Sequence, residues 1–126
     1  MLSTIMCLAT AIYFEARGEP LEGQYAVAEV VINRTLDERF PDNACAVIHE
    51  EKVPGKCQFS FACDGDLTIR EPEAFAAATA IATVAYTTET DHAGGAVYFH
   101  TKDVSPRWAR RMEVTADIGE HVFLSD

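Results

Sequence analysis

The sequence predicts an α+β domain in which helices come first and a small antiparallel sheet comes last. Three features of the chain point there. Apolar residues recur at intervals of three and four up to Ala85, the period changes to two beyond Gly94-Gly95, and two short strand-like runs flank Gly119. A length of 126 residues, 48% of them apolar, suits one continuous core, so residues 1–126 are read as a single domain.

The first helix follows from Leu2, Ile5, Met6, Ala9, Ile12 and Tyr13, which share one helical face, and it should run to about Ala16. Gly18 then breaks the chain, and Pro20 suits the first turn of a second helix, where its missing N–H costs nothing. That helix should cover about Pro20 to Asp37, with Leu21, Ala28, Val31 and Ile32 in period, and Phe40-Pro41 closes it. A short third helix is expected over Asp42 to Glu51, capped by Asp42.

From Lys52 to Arg70 no period is sustained and Pro, Gly, Cys, Asp and aromatic residues dominate, which predicts a long ordered loop or small hairpin. Loops of that length in compact domains usually carry function. Glu71-Pro72 opens a fourth helix ending near Thr87, with Phe75, Ala78, Ile81, Ala82 and Ala85 as a small-residue stripe for close packing. A strand follows, with Val97 and Phe99 on one side and Tyr98 and His100 on the other. Met112–Ile118 and His121–Leu124 complete the sheet as a hairpin around Gly119.

Composition narrows the possible partners. With 20 acidic residues against 10 basic ones the net charge is -10, the wrong sign for a protein that displaces counterions from nucleic acid. No run of about 20 apolar residues exists, so membrane insertion is not expected. The apolar N-terminus lacks a basic flank and a small-residue cleavage site and is read as a core helix, not a signal peptide, which leaves the export route open. Cys7, Cys45, Cys57 and Cys63 form no CxxC pair. They are either two disulfides, best paired as Cys57 with Cys63 and Cys7 with Cys45, or four buried thiols.

The densest chemical signal is Tyr13-Phe14-Glu15-Ala16-Arg17-Gly18-Glu19-Pro20-Leu21-Glu22-Gly23, where three carboxylates meet at a helix junction. Glu15, at the end of an apolar helix, is the one expected to lose solvent, which raises a carboxyl pKa and suits a general acid. The plain alternative is a solvated carboxylate paired with Arg17. Glu19 and Glu22 have a plain reading too, as first-turn acids favoured by the helix dipole. On spacing alone the choice stays open.

The run Ile12-Tyr13-Phe14-Glu15-Ala16-Arg17-Gly18-Glu19, with Glu22-Gly23-Gln24, Ala26-Val27-Ala28-Glu29-Val30 and Asn33-Arg34, resembles the cell-wall hydrolases of the spore-cortex-lytic SleB type. Further pieces agree in order along nearly the whole chain: Phe40-Pro41-Asp42, Cys57-Gln58-Phe59-Ser60-Phe61, Cys63-Asp64-Gly65, Tyr98-Phe99-His100, Trp108-Ala109 and Ile118-Gly119-Glu120-His121-Val122-Phe123. The resemblance implies a compact lysozyme-like or transglycosylase-like domain. It would cut the β-1,4 bond between N-acetylmuramic acid and N-acetylglucosamine in peptidoglycan, with Glu15 as the catalytic acid. It also implies action on the cell wall, in the periplasm or outside the cell, by a monomer that needs no cofactor or metal. The sequence shows no appended wall-binding repeat, which leaves targeting to the wall unaccounted for, and the four cysteines look like a subgroup feature and not a need of the chemistry.

A transglycosylase needs only Glu15, acting first as acid and then as base, and yields an anhydro-muramic end. A lysozyme-type muramidase needs a second carboxylate, for which Glu19, Glu22 and Asp64 are candidates. Alternation places Tyr98 and His100 on one strand face as a surface for sugars, and Gln58 and Ser60 opposite the anchoring Phe59 and Phe61. Glu19, Glu22 and Asn33 are expected near the substrate, with Arg34 as a brace or a surface ion-pair residue. Trp108 is either a sugar platform or a core plug.

Three rivals remain. A thiolate at Cys45 or Cys57 with His100 or His49 as base lacks local support, and His49, His92, His100 and His121 lack zinc-ligand spacing. A non-catalytic glycan-binding module is the third. Within the enzyme reading, the lack of a signal peptide leans towards a phage lysin.

Overall fold

The computed structural model describes residues 3–126; Leu2, which the periodicity places in the first apolar run, lies outside them. The order is α1 (Thr4–Ala16), α2 (Leu21–Thr35), α3 (Ala44–Ile48), the hairpin β1 (Glu51–Val53) and β2 (Lys56–Cys57), α4 (Phe61–Asp64), α5 (Pro72–Thr88), β3 (Tyr98–Thr101), a 3-10 helix (Arg107–Arg111), β4 (Glu113–Ile118) and β5 (His121–Ser125). Helices precede a three-stranded antiparallel sheet of order β3-β5-β4, as the change of period predicts.

Helix α1 is the centre of the molecule. Ser3 caps it, its Oγ accepting from the Met6 N–H at 3.1 Å. Cys7, Leu8, Ala9, Ala11, Ile12, Tyr13 and Ala16 are all buried, so apolar contact surrounds most of the helix and not a single stripe. α2, α3 and α5 pack around it, the last through Ala78, Ile81, Ala82 and Ala85, whose small side chains let the helices approach closely. The Tyr13 hydroxyl accepts from the N–H groups of Arg70 and Glu71 and so fixes the start of α5.

Several boundaries differ from expectation for local reasons. Pro20 stands just before α2, extended at ψ 153°, and its carbonyl accepts the first helical N–H groups, from Gly23 and Gln24. α3 is capped by Asn43 and not Asp42, since it is the Asn43 side chain that accepts from the Ala46 N–H at 2.8 Å. The stretch expected as loop or hairpin contains both a hairpin and the one-turn α4. Cys7 is bonded to Cys45, joining α1 to α3, and Cys57 to Cys63, joining β2 to α4.

The sheet is held to the helices by polar groups of α2. Asn33 Nδ2 donates to the Ala96 carbonyl at 2.9 Å and Arg34 Nε to the Val97 carbonyl at 2.7 Å, so both residues grip the chain entering β3. Glu29 is 3% exposed, and its carboxylate accepts from the Thr90 hydroxyl and from the N–H groups of His92 and Ala93. A second apolar cluster of Ala16, Ala26, Val27, Val30, Ala93, Ala96 and Phe123 fills the space between α2 and the sheet. Gly119 turns β4 into β5 at φ +56°, where a Cβ would also collide with Glu19 and Pro20.

Glu29→Ala strands two buried N–H groups and should cost about 2–4 kcal/mol of stability in urea unfolding. Glu29→Gln keeps an acceptor for them and should cost roughly 1 kcal/mol.

Candidate active site

The C-terminal turn of α1, the loop after β2, strand β3 and the 3-10 helix meet around a cavity of about 560 Å³. Glu15, Arg34, Gln58, Ser60, Tyr98, His100 and Trp108 line it, together with Phe59, Phe99, Thr101 and Met112. That volume lies within the range of pockets that take a small organic ligand or a few sugar rings.

Glu15 reaches the cavity because α1 ends there. Its neighbours Tyr13 and Ala16 are buried, and Phe14 packs edge-on against Tyr13 and stacks on Phe61 at 5.1 Å. The carboxyl itself is half-buried where this helix enters the core. Desolvation alone pushes its pKa from 4.5 up to about 7. Arg17 does not neutralise it: the guanidinium pairs with Glu71 at 2.8 Å and lies over the Tyr13 ring. The solvated, Arg17-paired alternative is therefore not what the fold builds.

The opposite wall is aromatic. Trp108 is 46% exposed, with its ring 5.6 Å from Tyr98 and 5.8 Å from His100, so it faces the cleft and is no core plug. Gln58 and Ser60 are exposed at the cleft while Phe59 and Phe61 are buried beneath them, a division that follows from their alternation. The strand face differs from expectation. Phe99 lines the cleft beside Tyr98 and His100, because β3 is an edge strand and the cavity meets both of its faces.

Three residues expected near substrate stand elsewhere. Glu19 accepts from the Glu120 N–H at 2.8 Å, with His121 Nδ1 3.5 Å away, and ties the α1–α2 corner to the β4–β5 turn. Glu22 is exposed in the first turn of α2, and Asn33 is engaged with the Ala96 carbonyl. None of the three lines the cleft, nor does Asp64, exposed at the end of α4. Glu15 is thus the one carboxyl among the described cleft residues.

Arg34 is the cleft group whose role spacing left undecided. It is 5% exposed, lies over the rings of Phe40 and Tyr98, and its second function as a brace of β3 explains its burial. Met112 and Thr101 were not foreseen; they arrive from chain segments whose position depends on sheet pairing.

The rival chemistries lose their reagents. Cys45 and Cys57 are in disulfides, so neither is a thiolate. His92 is bound to Glu29, His49 faces a different cavity from His100, and His121 is buried. Among the described residues only Glu51, Cys57 and Cys63 bring three ligand atoms together, and both sulfurs are taken by the disulfide.

Comparison with known proteins agrees with this geometry. Residues 18–124 match the family model described as Cell Wall Hydrolase. The chain belongs to the cell wall hydrolase family. Spore cortex-lytic enzymes of Oceanobacillus iheyensis and Halalkalibacterium halodurans are 34% and 35% identical to it over 120 residues. Those matches cover 94% of this chain but 40% and 34% of the relatives, so the chain spans well under half of their length.

The fold is shared with the catalytic domain of the Bacillus cereus SleB protein, at TM-score 0.77 and 31% identity over 97% of this chain and 89% of that one. The catalytic domain of the germination-specific lytic transglycosylase SleB from Bacillus anthracis matches equally, at TM-score 0.77 and 31% identity over 97% and 93% of the two chains. The family match begins at residue 18, beyond Glu15, whereas the matches to the two relatives, over 94% of the chain, take that residue in.

Raising a carboxyl pKa from 4.5 to about 7 on folding means the unfolded chain releases the proton more readily. The associated stability is present below pH 4.5 and is lost as pH rises through about 7. Glu15→Gln removes this dependence. The stability of wild type relative to Glu15→Gln, measured by urea unfolding, should fall by about 1–3 kcal/mol between pH 4 and pH 8.

Proposed function

We propose that this domain cleaves the glycan strand of peptidoglycan at the β-1,4 bond from N-acetylmuramic acid to N-acetylglucosamine, as a lytic transglycosylase with Glu15 as its acid. The observation that carries this is a single desolvated carboxyl, with a pKa of about 7, in a cleft walled by aromatic and polar side chains, Arg34 among them. Family membership supports glycan cleavage, and the named activity of the Bacillus anthracis relative supports the transglycosylase outcome.

Near neutral pH a substantial fraction of Glu15 is protonated. The acid donates its proton to the glycosidic oxygen as the bond to C1 breaks, its raised pKa keeping that proton available near neutrality. The carboxylate left behind then accepts the proton of the muramic C6 hydroxyl as that oxygen closes on C1. One group serves both steps, and the product carries a 1,6-anhydro ring. Tyr98 and Trp108 offer ring faces for sugars, and Gln58 and Ser60 offer hydrogen bonds to hydroxyl and acetamido groups.

A muramidase reaction needs a second carboxyl roughly 5–9.5 Å from the first, and the described cleft lining contains none. A binding module has no use for a carboxyl whose ionisation works against folding. The substrate lies outside the cytoplasmic membrane, which places the work of the domain on the wall side; no described helix is long and apolar enough to cross a membrane.

Purified peptidoglycan digested by wild type and by Glu15→Gln, with muropeptides read by mass spectrometry, tests this. Anhydro-muramic ends should appear with wild type, at a rate about 10²–10⁴-fold above Glu15→Gln. Reducing ends would mean hydrolysis, and equal release by both proteins would remove Glu15 from the chemistry. The wild-type rate should also decline as pH rises through about 7, when the acid form of Glu15 is depleted.

A further inference from the structure

One wall of the cleft has little secondary structure of its own to hold it. β1 and β2 pair through two residue couples, Glu51 with Cys57 and Val53 with Lys56, and α4 is four residues long. A hairpin and a helix of those lengths are not stable in isolation. The segment is held by the Gln58 N–H donating to the Glu50 carbonyl at 3.0 Å, by the burial of Phe59 and Phe61, and by the Cys57–Cys63 disulfide, whose sequence separation of 6 encloses Gln58 and Ser60. Cys57 itself lines the cleft.

The other disulfide is differently placed. Cys7–Cys45 joins two core helices, Cys7 is 2% exposed, and neither cysteine lines the cleft. Cys63, by contrast, is exposed and Cys57 half-buried, so a reductant in solution reaches the cleft bond first.

We propose that the Cys57–Cys63 disulfide is a positioning element for the cleft wall bearing Gln58 and Ser60, and that its reduction turns cleavage down while the helical core stays folded. This rests on the glycan-cleaving reading above. The chemistry is ordinary exchange with a dithiol. One thiolate of the reductant attacks the exposed Cys63 sulfur, the S–S bond breaks, and Cys57 leaves as a thiolate that takes up a proton. The second thiol of the reductant attacks its own sulfur in the mixed disulfide, releasing Cys63 and closing a cyclic disulfide. Two electrons and two protons pass from the dithiol to the two cysteines. In a compartment that keeps thiols reduced the wall of the cleft is unfastened, and in an oxidising one it is set.

The test titrates the wild-type chain with dithiothreitol. Opened cysteines are identified by alkylation and mass spectrometry, and cleavage of purified peptidoglycan is followed over a range of substrate concentrations. Alkylation of Cys57 and Cys63 should coincide with a rise of about tenfold in the half-saturating peptidoglycan concentration. The decline of the rate through pH 7 and the near-ultraviolet circular dichroism of the core should be kept, and reoxidation should restore the affinity.

Cys57→Ser/Cys63→Ser should reproduce the reduced protein, whereas Cys7→Ser/Cys45→Ser should lower melting temperature and leave cleavage below the melt unchanged. Unaltered cleavage after Cys57 and Cys63 are alkylated would overturn the proposal, as would a loss that follows Cys7 and Cys45 or global unfolding. Oxidised protein that releases no muropeptide would instead overturn the glycan-cleaving reading beneath it.

Discussion

The constraint on which the rest depends is the burial of α1. A helix with apolar contact around most of its circumference takes its terminal residues into the interior with it, and Glu15 lies in its last turn. Water is thereby stripped from one side of the carboxyl while the other side opens to the cleft. Desolvation is what keeps an acid protonated near neutrality. The small side chains of α5 matter to the site for this reason, since they let that helix close over α1.

Much of the residue pattern that resembles wall hydrolases builds the frame around that acid. Glu19 ties the α1–α2 corner to the β4–β5 turn, where Gly119 leaves room for it. Glu29, Asn33 and Arg34 each take a hydrogen bond to the chain between α5 and β3, which fixes the edge strand relative to α2. Because β3 carries Tyr98 and His100, these bonds set the width of the cleft. Polar residues outside the cleft can therefore be as constrained as those that line it.

The two walls are held by different means. β3 is secured by ladder pairing with β5, from Tyr98 opposite Leu124 to Thr101 opposite His121, and by the grip of α2. The loop carrying Gln58 and Ser60 is secured by two buried rings, a disulfide and the Gln58 N–H to Glu50 carbonyl bond. One wall is part of the cooperative core and the other is fastened to it.

Helices α1, α2, α3 and α5, the change to a period of two, the hairpin at Gly119 and the alternation of Gln58 and Ser60 with Phe59 and Phe61 were legible in the sequence, because helix and strand periods are local properties of the backbone, whereas α4 and the 3-10 helix are too short to show a period. So was the family, through an ordered run of motifs. The cap at Asn43 was misread as Asp42, since adjacent residues of similar capping ability differ only in where the chain turns. The roles of Glu19, Asn33 and Arg34, the exposure of Trp108, and the cleft positions of Phe99 and Met112 were decided by the tertiary structure alone. They depend on contacts between residues far apart in the chain, and no local period encodes which side chain will meet the cleft and which will be spent on a backbone group.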